Sequence, residues 1–250
     1  MAIHPIYRFY AVLEGYTPKI WRRFEVNGSK TIAELGYILM TMFEMKASHL
    51  FCFTYDHGAE ILKDMRKRYS DEELDRVLSK SEYADLLKPW RFELPSEDIY
   101  ENENEQWRSA SKYRLKDITD SAPWHLTFEY DYGDGWQVNL TLENCEKVGI
   151  HASESPRVLE GEGFGIIEDC GGIGRLEELA KAFKKKNGRQ YDEYREWLGI
   201  DDLDLTAFDL DDMNFRLKKL PRIFRESYEY GYEPTQRSID LIERKYIKGR

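Results

Sequence analysis

The chain has 250 residues, of which 41% are hydrophobic and 34% charged, with a formal net charge of −10. That is enough apolar material for one sizeable core, and no apolar run approaches the ~20 residues of a membrane helix, so a helical membrane protein is excluded. Phosphate neutralisation supplies most nucleic-acid affinity, so the acidic balance disfavours a nucleic-acid partner without forbidding one.

Residues 6–13 alternate apolar and polar as a strand does, and 15–18 read as a turn. A second strand over 20–26 turns Ile20, Phe24 and Val26 toward the core. Arg22 falls on that same face, where a buried cation calls for a carboxylate partner. Thr31 and Glu34 form a capping box, and Ile32, Leu35, Leu39, Met42 and Phe43 give a helical stripe ending near Met45. A strand over 50–55 follows, with His49 at the junction. A lone histidine there is more often a structural hydrogen-bonding residue than a ligand. Residues 58–112 are dense in charge and lack clean alternation. They read as an insertion, with a helix over 71–87 and a polar, acidic loop over 94–105.

From 115 to 143 the chain returns to the sheet. Period two puts Trp124, Leu126, Phe128, Tyr130 and Tyr132 on one face, and Trp136, Val138, Leu140 and Leu142 on one face after the turn. A three-residue loop, Gly133-Asp134-Gly135, keeps apolar opposite apolar by pairing Tyr132 with Trp136, Tyr130 with Val138 and Phe128 with Leu140. The same register sets His125 opposite Glu143. Residues 156–174 are glycine-rich and irregular. Helices are expected over 175–186, 191–198 and 211–220, and Pro234 opens a basic amphipathic helix over 238–247. This order predicts an α+β fold: an antiparallel sheet core with helices packed on it, an inserted charged helical segment and a helical C-terminal third. It reads as one domain over 1–250, with 58–112 inserted and 221–250 as a C-terminal helical extension. Three cysteines, Cys52, Cys145 and Cys170, share no CxxC spacing and offer no zinc site. With no basic-then-apolar leader at the start, a cytoplasmic setting is expected.

Five strings stand in a telling order. They are Pro18-Lys19-Ile20-Trp21-Arg22-Arg23, then His49-Leu50-Phe51-Cys52-Phe53, then FEYDYGDGW over 128–136. Ile167-Glu168-Asp169-Cys170-Gly171-Gly172 follows, and Phe208-Asp209-Leu210 with Asn214 comes last. In this the chain resembles the plasmid pRiA4b ORF-3-like proteins from about Tyr7 to Leu220, interrupted by 58–112. The resemblance implies a plasmid- and transposon-associated setting. It also implies losses, because relatives carry a histidine in the first helix where this chain has Gly36. They carry another two residues after the tryptophan, where it has Val138, and C-P-P where it has Gly165-Ile166-Ile167. If those residues form a metal or catalytic site in relatives, part of it is missing here.

Acidic residues, glycines and aromatics are concentrated at 128–136 and at 168–174, EDCGGIG. Asp131, Asp134, Glu168 and Asp169 make a candidate site for a hard cation, Mg²⁺ or Mn²⁺, of the kind that serves phosphoester hydrolases and nucleases. As turn residues they need no ion. Trp21, Arg22, Arg23, Tyr132 and Trp136 make a candidate ligand groove, with rings to stack and guanidiniums to hold phosphate or carboxylate. In it Tyr132 and Trp136 are the exposed pair, although alternating aromatics are otherwise the buried face of a sheet. A third arrangement is acid–base or nucleophilic catalysis by His125 or His49 with Glu143 or Glu168. There is no serine elbow, and EDCGGIG lacks the lysine and hydroxyl of a phosphate loop. The resulting expectation is a non-enzymatic binding or accessory module of mobile genetic elements, with no cofactor. The alternative is a divalent-metal-dependent phosphoester hydrolase or nuclease. Either requires residues 131–136 and 168–172 to meet at one edge of the fold.

Overall fold

The computed structural model describes residues 5–79, 85–95, 103–119, 122–146 and 154–245. Its strands are β1 Ile6–Leu13, β2 Trp21–Asn27, β3 Phe51–Tyr55, β4 Trp90–Glu93, β5 Gln106–Ser109, β6 Trp124–Tyr130, β7 Trp136–Glu146 and β8 Arg157–Glu162. They form one sheet in the order β5-β4-β3-β6-β7-β1-β2-β8. Every neighbouring pair is antiparallel except β4 with β5. The helices are α1 Ile32–Met42, α2 His57–Met65, α3 Asp71–Leu78, α4 Leu115–Ile118, α5 Gly172–Lys185, α6 Arg189–Leu198, α7 Leu210–Leu217, α8 Leu220–Tyr230 and α9 Gln236–Ile242. No helix among the described residues is long and apolar enough to cross a membrane.

Alternation decides how the sheet faces. Tyr7, Phe9, Ala11 and Leu13 of β1, Leu126, Phe128 and Tyr130 of β6, and Val138, Leu140 and Leu142 of β7 are all buried. α1 lies in the core beneath α7 and α8 and reaches β3, which is why its sequence is apolar nearly all round. The expected capping box starts it: Thr31 Oγ1 accepts from the Glu34 N–H at 3.1 Å, and Glu34 Oε2 from the Thr31 N–H at 2.9 Å. α8 closes the layer. Its Phe224 is buried, and Tyr228 stacks on Tyr37 of α1 at 5.7 Å.

Several elements depart from the expected pattern. Residues 58–112 hold α3 over Asp71–Leu78, with 80–84 of the expected helix outside the described residues, but also most of α2 and the strands β4 and β5. Much of the expected acidic loop, 96–102, lies outside the described residues, as do 246–247 of the expected last helix. The stretch opening at 115 begins with a single helical turn, α4, and β8 runs through residues expected to be irregular. α8 falls at the start of the expected helical extension over 221–250, and Pro221 does not stop it. The proline occupies the first helical turn, where its absent N–H is no loss.

Arg22 corrects the expectation of a carboxylate partner. It is fully buried, and all five of its N–H groups go to backbone carbonyls. Nε donates to Met42 at 3.1 Å, Nη1 to Trp21 at 2.8 Å and Glu162 at 2.7 Å, and Nη2 to Gly163 at 2.7 Å and Phe164 at 2.8 Å. Its guanidinium also lies 4.1 Å from the Phe208 ring centre. Burial draws its pKa down to about 9 against the pull of nearby Glu44, so it stays charged at neutral pH. One side chain thus ties the end of α1 to the segment after β8.

Two stability predictions follow from this packing. Arg22→Lys keeps the charge but offers three donors to five carbonyls, and should cost about 2–4 kcal/mol in urea denaturation; an unchanged midpoint would contradict the carbonyl cage. Gly36 of α1 packs against β3, and a Cβ there would stand 2.7 Å from the Phe51 ring. No histidine fits at this position without moving that ring. Gly36→Ala should therefore destabilise by about 1–3 kcal/mol, and by less in a Phe51→Leu background. A stabilised Gly36→Ala variant would show that the contact is not tight.

Candidate functional site

The β6–β7 hairpin pairs Tyr130 with Trp136, Phe128 with Val138 and Leu126 with Leu140. This is two residues away from the expected register, an even shift that leaves every side chain on its face. The loop has five residues, and Asp131 closes it. Asp131 adopts φ +55°, its N–H donates to the Leu50 carbonyl at 3.0 Å, and its own carbonyl accepts from the Gly135 N–H at 2.7 Å. Asp131 Oδ1 accepts from the N–H groups of Gly133 at 3.0 Å and Asp134 at 3.3 Å. His125 consequently faces Thr141, 3.2 Å from its Oγ1. Glu143 binds Arg23 instead.

The second loop meets this one. The Gly171 N–H donates to Asp134 Oδ2 at 3.0 Å. Gly172, at φ +80°, passes so close that a Cβ would stand 2.7 Å from the Asp134 carbonyl oxygen. Beneath them Glu168 is buried. Its Oε1 accepts from the Tyr130 hydroxyl and from Ser48 Oγ, both at 2.5 Å, and its Oε2 from the Lys46 N–H at 3.0 Å. The Ser48 N–H in turn donates to the Tyr130 oxygen at 3.1 Å. Burial, and then the Glu168 charge, push the phenols of Tyr130 and Tyr228 well up. The α1–β3 connection is therefore a third member of the assembly.

That connection carries His49. Its Nε2 lies 3.0 Å from Asp169 Oδ1, 3.6 Å from Asp131 Oδ2 and 3.7 Å from Glu168 Oε1. Its ring stands edge-on to Tyr130, and Tyr228 donates its hydroxyl to the His49 carbonyl. Ligand atoms of His49, Asp131 and Asp169 all lie within 4.8 Å of one another. Two ligands bound to one ion at about 2.0–2.2 Å stand at most about 4.4 Å apart, so a small inward rotation makes a cation site. An imidazole among carboxylates suits Mn²⁺, Fe²⁺ or Zn²⁺ better than Mg²⁺.

The expected carboxylate set is only partly gathered. Asp131, Glu168 and Asp169 converge on His49, whereas Asp134 turns its Oδ2 to Gly171 and fastens one loop to the other. His49 is the residue missing from that set. Its sequence signal was its place at the head of the histidine-leucine string before β3.

The groove residues are dispersed. Trp136 is buried, a correction to its expected exposure, and Arg22 is enclosed. Arg23 binds Glu143 at 2.8 Å and Glu160 at 2.7 Å, and Trp21 packs on Tyr10 while donating to Glu162. β1 separates their strand from β7. Tyr132 is exposed, but its hydroxyl donates to Glu93 at 2.7 Å and Arg91 lies over its ring. The Cys170 thiol is pushed up to about 12 by burial and by Asp134 and Asp169, which makes it a poor nucleophile.

The fold and its parts have relatives. The crystal structure of the protein of unknown function MM3350 from Methanosarcina mazei Go1 superposes with a TM-score of 0.62 at 24% identity, over 84% of this chain and 98% of that one. The uncharacterized protein y4hQ of Sinorhizobium fredii (strain NBRC 101917 / NGR234) is 30% identical over 101 residues, 40% of this chain. The chain spans about half the length of that curated relative, 50%. The sequence profile of the Plasmid pRiA4b ORF-3-like proteins matches residues 5–215, from the start of β1 into α7, and the chain belongs to that family.

Proposed function

We propose that the chain is a divalent-cation-dependent binding protein whose ion is held by His49, Asp131 and Asp169, with Glu168 behind them. The observation supporting this reading is the convergence of three carboxylates on one imidazole nitrogen, at 3.0 to 3.7 Å. Glu168 positions the set through Tyr130, Ser48 and the Lys46 amide. Mn²⁺ matches the mixed nitrogen and oxygen donors better than Mg²⁺. An accessory role alongside plasmid-borne elements is consistent with the family's description.

Metal-assisted hydrolysis of a phosphoester is the second reading. What favours it is openness: the Asp169 side chain is 67% exposed and that of His49 31%, which leaves room for water and a ligand beside the ion. A cation bound there would polarise a phosphoryl oxygen and acidify a water molecule.

Thermal unfolding with added Mn²⁺, Zn²⁺ or Mg²⁺ tests the proposal. At about 100 times its Kd, Mn²⁺ should add about 2.7 kcal/mol, a rise in Tm of about 5–10 °C for a chain of this size. His49→Ala and Asp131→Asn should abolish the rise. Asp134→Asn should keep it, because an amide oxygen still accepts from Gly171. A rise that persists in His49→Ala, or no rise with any of the three ions, contradicts the proposal.

A further inference from the structure

We infer that the cleft beside this centre takes a small aromatic phosphate monoester, and takes it only once the cation is in place; the inference rests on the cation reading above. The cleft has a volume of about 390 Å³, within the range of small-molecule sites. Glu168 and Asp169 line one side of it. The α1–β3 connection, the stretch before Glu168, the end of α6 with the chain just past it, and the end of α9 with the residues after it complete the walls.

Those walls differ in chemistry. Phe164, Trp197 and Ile200 are apolar parts of the lining, and Trp197 and Ile200 are large apolar residues left 49% and 37% exposed. The rest of the lining carries charges, most of which cancel locally. Arg244 clamps Glu44 at 2.6 Å and also binds Asp212, while Lys245 pairs with Glu243 at 2.6 Å. Lys46 makes no ion pair with any described residue; only its backbone amide is engaged, by Glu168. What remains is Lys46 against Glu168 and Asp169, a net negative field that repels an anion. A divalent ion on the Asp169 side reverses that sign. An anion would then bridge the ion and Lys46, and a planar body would lie on Trp197.

Calorimetric titration of the full chain tests this, using Mn²⁺ first and then phenyl phosphate and inorganic phosphate, each with and without saturating Mn²⁺. With Mn²⁺ present, phenyl phosphate should bind at least about tenfold more tightly than inorganic phosphate. Lys46→Gln and Trp197→Ala should each weaken it by about tenfold or more, and without Mn²⁺ no binding heat should appear. By linkage, phenyl phosphate should tighten Mn²⁺ by the factor by which Mn²⁺ tightens phenyl phosphate. Mn²⁺ uptake without phenyl phosphate binding overturns the cleft assignment and leaves the cation reading standing. Failure to take up Mn²⁺ removes both. Equal binding with and without Mn²⁺, or binding indifferent to Trp197→Ala, also overturns the assignment.

Discussion

The buried carboxylate of Glu168 is the constraint on which the site depends. Among the described residues it has no ion pair with an arginine or lysine. Its charge is met by the Tyr130 and Ser48 hydroxyls and the Lys46 amide. A carboxylate left unsatisfied in such a place is strongly unfavourable, and donors to a charged acceptor form the stronger hydrogen bonds. The three donors come from β6 and from the α1–β3 connection, while Glu168 belongs to the loop before α5. Satisfying one charge therefore brings three separate stretches of chain to one point. His49 comes with them, because it follows Ser48 directly.

Two aspartates then take their places in a conformation L-residues rarely adopt. Asp131 has φ +55° and Asp169 φ +59°, and each turns a carboxylate oxygen toward His49 Nε2. Asp131 is supported locally by the amides its side chain caps. Behind them the frame is cross-linked by charges. Glu44, itself at φ +62°, receives both Arg216 and Arg244, and Arg22 locks the segment before Glu168 to the end of α1. Buried ion networks add less stability than apolar packing would. What they supply here is position, which a centre of few ligands requires from its surroundings.

Much of this is legible in the residues alone, and the failures have physical reasons. Alternation reveals β1, β2, β6 and β7, the capping box reveals α1, and the acidic glycine strings point to the two loops. The hairpin register is missed because a slip of two residues preserves both faces, so burial cannot distinguish the alternatives; Asp131 decides between them through its side chain. β4, β5 and β8 are short and weakly alternating, and little in their composition separates them from loops. Trp136 looks like a rim residue because it flanks a turn, but pairing with Tyr130 places it in the core. Arg22 shows that carbonyl dipoles can replace a carboxylate when five of them converge. His49 pairs with Glu168 among the expected arrangements, but its place in the carboxylate set is hidden because Asp131 and Asp169 lie 82 and 120 positions away in the chain. The cleft is hidden because four distant segments build it.

The central claim is that one divalent ion sits between His49, Asp131 and Asp169. Crystals grown with Mn²⁺ and measured for its anomalous scattering test it directly. The account predicts one strong peak about 2.0–2.3 Å from His49 Nε2 and from a carboxylate oxygen of each aspartate. A strong peak elsewhere on the molecule, with His49 Nε2 still hydrogen-bonded to Asp169, would contradict it.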